Sequence, residues 1–260
     1  MRDTLVLFTK SFPFNNDETF LLPELEVHYK EFKRVFIVPH NTGDKIIQHK
    51  LPEHVTVLMY ESLSSNGRLR SLFLFLFFAL PLELLGNFNF KGIFKKLRFN
   101  FGFFRQSYLR SEQIKKWLVQ HNIAIESSCF YSYWLNENAL SLALVKRDYP
   151  SMYSVGRGHG YDVFPSQAKY GYNRFQAIII KRLSLVISVS ETGAAYLCGK
   201  YPDSSEKIIC SYLGTPDPSV LNVSDPEKIT IVSCAHIRQI KALHRIPLVL
   251  ASTGRKCKWI

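Results

Sequence analysis

The stretch Tyr153–Phe164, "YSVGRGHGYDVF", sets three glycines at alternate positions around Arg157 and His159. Two local structures compete for it: a phosphate-cradling turn that opens a helix, or the end of a strand that presents an arginine and a histidine. A dinucleotide fingerprint needs G-x-G-x-x-G opening a helix. Here the last glycine comes one residue early and Tyr161-Asp162-Val163-Phe164-Pro165 follows. The dinucleotide reading is set aside, and the stretch reads as a strand end.

Working outward, helices and apolar strands alternate. Upstream lie "CFYSYW" as a strand and "LNENALSLALVKR" as a helix, with "SEQIKKWLVQHN" before them as a helix for which Ser111 is a candidate cap. Downstream, "YNRFQAIIIKRL" is helical, "SLVISVS" a strand, "ETGAAYLCGKY" a helix and "KIICSYL" a strand. Near the start, Thr4–Phe8, Arg34–Val38 and Val55–Met59 are short, strand-like runs, and the first two bracket the helical "NNDETFLLPELEVHYKEF". This march predicts an α/β fold with a doubly wound parallel sheet. The break "GTPDPSVLNVSDPEK" then ends a first domain, residues 1–222, and "ITIVSCAH", "QIKALHRIPLVLAS" and "CKWI" begin a second over residues 223–260. A lone β-α-β start cannot bury both faces of a sheet, so the second domain is expected to be incomplete.

Composition narrows the partners. The 260 residues are 47% hydrophobic, and 33 Lys and Arg against 21 Asp and Glu give a net charge of +12. That excess favours an anionic partner: nucleic acid, a phospholipid surface or a phosphorylated ligand. Five widely spaced cysteines with no C-x-x-C indicate neither a disulfide framework nor a zinc site, and suit a reducing cytosol. The N-terminus lacks the pattern of a signal peptide, and the apolar run Leu72–Leu82 is shorter than the ~20 residues a membrane span needs. "FKGIFKKLRFNFGFFRQSYLR" interleaves Lys91, Lys95, Lys96, Arg98, Arg105 and Arg110 with phenylalanines. It suits an anionic membrane surface, or equally a phenylalanine core under a solvated basic face. No nucleic-acid motif accompanies it.

Several blocks, in their order, resemble the family-4 glycosyltransferases of the GT-B fold that build bacterial exopolysaccharides and cell-surface glycans. They are "FPFNNDETFLLPELEVH", "FYSYWLNENALSLAL", "GRGHGYDVF", "LVISVSETGAAYLCGKYP" with "KIICSYLGT", and "ITIVSCAHIRQIKALHRI". The resemblance implies two Rossmann-like domains, the N-terminal one binding the acceptor and the C-terminal one the nucleotide sugar. It also implies a retaining transfer that uses no metal or other cofactor, with a polysaccharide or lipid-linked glycan as acceptor. The location it implies is the cytoplasm, or the inner face of the membrane as a peripheral protein.

The same resemblance assigns residues. Arg157, His159 and Asp162 match an R-x-H-x-x-D pattern near the transferred sugar and its phosphates; otherwise His159 is structural and Asp162 caps the next segment. Glu18 would bind an acceptor hydroxyl, or simply complement the dipole of the following helix. Lys241, assisted by Arg238, would neutralise the donor diphosphate, and a solvated lysine at a helix start is the competing reading. Ser190 in "SETG" reads first as an N-cap. Relatives continue past a W-x-x-x-G-x-G segment to a glutamate-rich loop, whereas this sequence reaches Trp259-Ile260. The expectation is a chain inactive alone, or a non-catalytic remnant that binds glycan or membrane.

Overall fold

The computed structural model describes residues 2–14, 16–41, 47, 49–61, 68–81, 83, 93–168, 171–215, 217, 219, 229–235, 237, 239–254 and 257–260. The chain divides into two compact units, residues 1–215 and 216–260.

The first unit is built on a seven-stranded parallel sheet in the order β3-β2-β1-β4-β5-β6-β7. Its strands are β1 (Thr4–Thr9), β2 (Arg34–Pro39), β3 (Val55–Val57), β4 (Ser128–Ser132), β5 (Tyr153–Gly158), β6 (Leu185–Ser188) and β7 (Ile208–Cys210). All six residues of β1 are buried, as expected for a strand with a neighbour on each side and helices on both faces. The two-residue period sorts its side chains. Leu5 and Leu7 join Val35, Ile37, Tyr131 and Val155 on one face, closed by Leu25 of helix α1 (Leu22–Glu31). Val6 and Phe8 join Phe36, Val38 and Phe130 on the other. That face lies under α3 (Ile93–Gln120) and α4 (Glu137–Asp148). The sheet is doubly wound, as the alternation predicts.

Helix α3 runs through Ser111, so that residue is interior and not a cap. Its hydroxyl donates to the Tyr108 carbonyl at 2.6 Å. Nothing in 93–120 stops a helix except Gly102, which a long helix tolerates at a cost of ~1 kcal/mol. Phe103 and Phe104 are buried and pack against Phe175, and Arg110 is buried beneath the ring of Tyr60. Much of the basic and aromatic stretch is therefore core; Lys91 and the side chains of Lys95 and Lys96 lie outside the described residues. The apolar run before it forms α2 (Arg68–Leu74) and a π-helical turn, Phe75–Ala79. Among the described residues no helix is long and apolar enough to cross a membrane.

Three further helices flank the sheet: α5 (Gly160–Val163), a single turn, then α6 (Gln176–Arg182) and α7 (Glu191–Lys200). Ser190 caps α7 by accepting from Gly193 N at 3.1 Å. The second unit pairs β8 (Ile229–Ile231) with β9 (Cys257–Trp259) in parallel across α8 (Ile246–Ser252). That helix is shorter than the sequence suggests. Ala242 at φ +49° breaks the earlier part into two 3-10 turns, and α8 starts with a proline in its first turn.

The alternate glycines now have a physical reason. Gly156 and Gly158 are strand residues with no positive φ. A Cβ at Gly156 would stand 2.6 Å from Leu183 and 2.7 Å from Leu135; at Gly158 it would stand 2.6 Å from Val163 and 2.9 Å from Leu135. Their lack of side chains makes room for buried leucine and valine, not for a ligand's phosphate. Gly158→Ala should therefore destabilise the fold by roughly 1–3 kcal/mol through overpacking. Urea unfolding measures this, and a variant as stable as the parent would refute the packing account.

Candidate functional site

In an open α/β sheet, ligands bind beyond the carboxyl ends of the strands, where the strand order reverses. Here the reversal falls between β1 and β4, and the segments that follow β1, β4 and β5 meet above it. Two buried carboxylates hold those segments.

Glu18 sits in a 3-10 segment, Asn16–Leu21, with only 1% of its surface exposed. One oxygen accepts from Lys10 N at 3.1 Å and Trp134 Nε1 at 2.7 Å; the other accepts from Ser11 N at 2.7 Å and Phe12 N at 2.9 Å. A carboxylate offers about four acceptor sites, and all four are taken by the protein itself. Glu18 thus ties the segment after β1 to the one after β4, a different use from binding an acceptor hydroxyl or facing a helix dipole. Asp162 does the same one step further along the sheet. Its two oxygens accept from Leu135 N at 2.9 Å and from His159 N. Burial pushes its carboxyl up to about 7, although the backbone hydrogen bonds pull the other way.

His159, just past β5, packs at a tilt against Trp134, with ring centroids 4.1 Å apart, and against Tyr133 at 5.3 Å. Both ring nitrogens are buried and neither makes a hydrogen bond of good geometry, although the side chain faces the Asp162 backbone N–H in a capping-box arrangement at the start of α5. The nearer carboxylate oxygen of Asp162 is 4.0 Å from Nδ1, too far to bond. Burial first, then the charge of Arg157, push the imidazole down to about 4. At neutral pH the ring therefore offers one donor and one acceptor.

Arg157 is less available than its place in the motif suggests. Its guanidinium bonds to the Tyr131 hydroxyl, to the Ser211 carbonyl at 3.1 Å and to Glu24 Oε1 at 3.2 Å. Glu24 in turn accepts from Tyr131 at 3.0 Å and meets His28 at 3.3 Å. Burial raises the Glu24 carboxyl, and the His28 hydrogen bond and the Arg157 charge outweigh it, so the group stays below its ordinary range. This pair, with Arg157 buried and Glu24 half-buried, docks α1 onto β4 and β5. Three of the five guanidinium N–H bonds are used, which leaves two.

Beside this cluster a cleft of about 300 Å³ opens over the ends of β1, β2 and β4. Lys10, His40, Asn136, Glu137, Tyr161 and Arg174 are among its walls. Tyr161 connects it to the histidine, because its ring packs on Trp134 at 5.3 Å and Trp134 packs on His159. Buried Arg110 approaches His40 Nδ1 at 2.6 Å. Desolvation and the Arg110 and Lys10 charges push His40 down to about 4, so it too is neutral and acts there as acceptor. Aromatic faces, amides, a carboxylate and cations in one concavity suit a hydroxyl-rich small molecule with an anionic portion.

Of the residues singled out from the sequence, the structure gathers Arg157, His159, Asp162 and Glu18 within one group of contacts. Lys241 is exposed in the 3-10 turn Gln239–Lys241 of the second unit, and Arg238 lies outside the described residues. Among the described residues no group of three or more His, Cys, Asp and Glu could hold a metal ion. Sequence reasoning missed Trp134, Tyr161, Lys10 and Glu24. A usable signal was present for Trp134: the aromatic run Tyr131-Ser132-Tyr133-Trp134 ends a strand just ahead of the helix cap Asn136.

No protein-family model matches the chain, and none of the curated proteins matches its sequence. Solved structures do resemble it. Alr3699/HepE from Anabaena, in complex with UDP and glucose, superposes with a TM-score of 0.51 at 12% identity, over 98% of this chain and 59% of that one. A glycosyltransferase from Rickettsia africae ESF-5 superposes with a TM-score of 0.51 at 14% identity, over 99% of this chain and 60% of that one. The chain thus spans about three-fifths of the length of these proteins. At such identities the likeness shows the fold, an α/β Rossmann-like architecture of GT-B-like kind.

Asp162 carries a pH signature. Its folded pKa lies above its ordinary 3.8, so between pH 4 and 7 the folded chain holds a proton that the unfolded chain releases. That contribution is complete below pH 4 and is lost as pH rises through 7. Relative to Asp162→Asn, which cannot titrate, the parent should lose at least about 1.4 kcal/mol of stability across that window, the worth of one pKa unit. Urea unfolding of both proteins at pH 4.5 and 7.5 reads the difference; a parent that gains on the variant as pH rises contradicts it.

Proposed function

We propose that the chain is part of a glycosyltransferase that moves a sugar from a nucleotide-sugar donor to a glycan or lipid-linked acceptor, with retention at the anomeric carbon and without a metal. The observation that carries the reading is the neutral His159 ring, whose two nitrogens make no hydrogen bond of good geometry, beside a polar cleft at the strand-order reversal. Support comes from the fold, which is like that of two solved proteins, one a glycosyltransferase and one holding UDP and glucose.

In this reading His159 hydrogen-bonds hydroxyls of the transferred sugar. The cleft with Tyr161, Asn136 and Glu137 receives the acceptor. Asp162 and Glu18 position the segments that carry His159 and Trp134, and Arg157 uses its remaining N–H bonds toward donor phosphate oxygens. Lys241 and Arg238 of the second unit are assigned to the donor diphosphate on the sequence resemblance alone. The bond from the anomeric carbon to the phosphate oxygen breaks, and the nucleoside diphosphate leaves with the electron pair. The acceptor oxygen bonds to that carbon from the same face, and its proton passes to the departing phosphate. Fixed cations and donors at the leaving group stabilise charge that grows in the transition state. An acceptor on a lipid would bring the protein to an anionic membrane surface.

The test is transfer from a panel of nucleotide sugars by a protein that includes the remaining two-fifths of the length of the structural relatives. His159→Phe, which keeps a ring against Trp134 but removes both nitrogens, should lower kcat/KM by at least tenfold with the far-UV circular dichroism of the parent, whereas His159→Ala also removes a buried ring and should cost roughly 1–3 kcal/mol of stability. Full activity in His159→Phe would return the histidine to a structural role. Binding of glycan without any transfer would favour a non-catalytic binding protein.

A further inference from the structure

A second cavity lies at the opposite end of α4 from the cleft. Glu137, at the start of that helix, lines the cleft, and Lys146 and Arg147, near its end, line a groove of about 490 Å³. Ten residues of helix put roughly 15 Å between the two. The groove's other walls are Pro150, Ala177, Ile178, Lys181 and Arg182. Four of its seven lining residues are cations and none is an acid.

Helix C-termini attract cations without any ligand, so that explanation must be weighed first. It accounts for Lys146, which donates to the Met152 carbonyl at 2.9 Å and to the Ser184 hydroxyl, and for neighbouring Lys207, which caps Lys181 and Leu183 carbonyls at 2.7 and 2.8 Å. It leaves a surplus. Among the described residues the acid beside the groove is Asp148, which pairs with Arg147 at 3.1 Å and also with Lys115. Burial and the neighbouring cations push Lys146 and Arg182 below their ordinary values, the direction expected where positive charges crowd with too few acids.

The floor of the groove is apolar, and its rim continues into an apolar ridge. Arg182 lies over the ring of Phe78, 5.2 Å from its centre. Phe77, the preceding residue, is 71% exposed, and it packs on Phe73, itself 60% exposed, with centroids 4.6 Å apart. Leu69 and Leu76 are exposed on the same helical segment. Four cations over an apolar floor, beside a packed pair of exposed phenylalanines, match a ligand that joins a phosphate to hydrocarbon.

We propose that this groove is a headgroup site for an anionic phospholipid, with Phe73 and Phe77 entering the membrane interface beside it. The cations meet the phosphate and the aromatic rings bury apolar area among the acyl chains; each nearby cation adds about a factor of five in partitioning, the equivalent of roughly 1 kcal/mol. The proposal deepens the membrane part of the reading above and is independent of sugar transfer. It moves the contact from Lys95, Lys96 and Arg98 to Lys146, Arg147, Lys181 and Arg182.

Sedimentation with vesicles of phosphatidylglycerol and phosphatidylcholine, against vesicles of phosphatidylcholine alone, tests it without any activity assay. The parent chain should bind the anionic vesicles and release them as salt rises. Lys181→Gln with Arg182→Gln should weaken binding at least tenfold, as should Phe73→Ser with Phe77→Ser, each with the far-UV circular dichroism of the parent. Unchanged binding in both pairs overturns the proposal, as does equal binding to neutral vesicles, or loss of binding only on Lys95, Lys96 and Arg98→Glu. Glycerol 3-phosphate or pyrophosphate binding the groove with no vesicle binding would assign it to a soluble anion and overturn the lipid assignment. Loss of sugar transfer in a longer protein, with vesicle binding intact, would sink only the transferase reading.

Discussion

A parallel sheet leaves its strand ends as separate loops, and something must fix them relative to one another before they can form a site. In this chain two buried carboxylates do so. Glu18 gathers three successive backbone N–H groups after β1 and the Trp134 indole after β4. Asp162 gathers one N–H after β4 and one after β5. Burying a carboxylate is costly unless its lone pairs are filled, so each of these groups imposes its geometry on whatever supplies the donors. The chain Lys10–Phe12, Trp134–Leu135 and His159 is in effect one hydrogen-bonded edge. Removing either carboxylate leaves buried N–H groups without partners, a cost of about 1–3 kcal/mol for each.

That edge explains an asymmetry among the polar groups. Glu18 and Arg157 are nearly consumed by internal partners, while the His159 ring is held by tilted packing on Tyr133 and Trp134 and its two buried nitrogens make no hydrogen bond of good geometry. Ring packing orients an imidazole without spending its hydrogen bonds, and burial beside Arg157 keeps it uncharged. The same molecule thus separates residues whose polar atoms are engaged by the protein from one whose ring nitrogens are not.

The sheet was legible because its pattern is local: the apolar runs at Thr4–Phe8 and Arg34–Val38 and the cap Ser190 state their roles within a few residues. The motif Arg157-Gly-His159 could be placed at a strand end, yet the purpose of its glycines could not, since Leu135, Leu183 and Val163 reach them only in the folded chain. For the same reason Glu18 read as a ligand group or a helix-dipole partner: its donor Trp134 is 116 residues away. Ser111 misled because a capping residue type and a helix-interior serine look alike when the helix starts far upstream. The Phe-rich stretch was ambiguous in composition and is divided by packing, with Phe103, Phe104 and Arg110 inside and Arg98 outside.

The central claim is that His159 presents an uncharged ring with unclaimed nitrogens. Long-range proton–nitrogen NMR of its imidazole, followed from pH 3 to 8 with and without a nucleotide sugar that carries the transferred saccharide, tests it most directly. The account predicts a ring that stays neutral until about pH 4 and whose nitrogen shifts respond to the saccharide. A ring that titrates near its ordinary 6.5 and ignores the saccharide would contradict it.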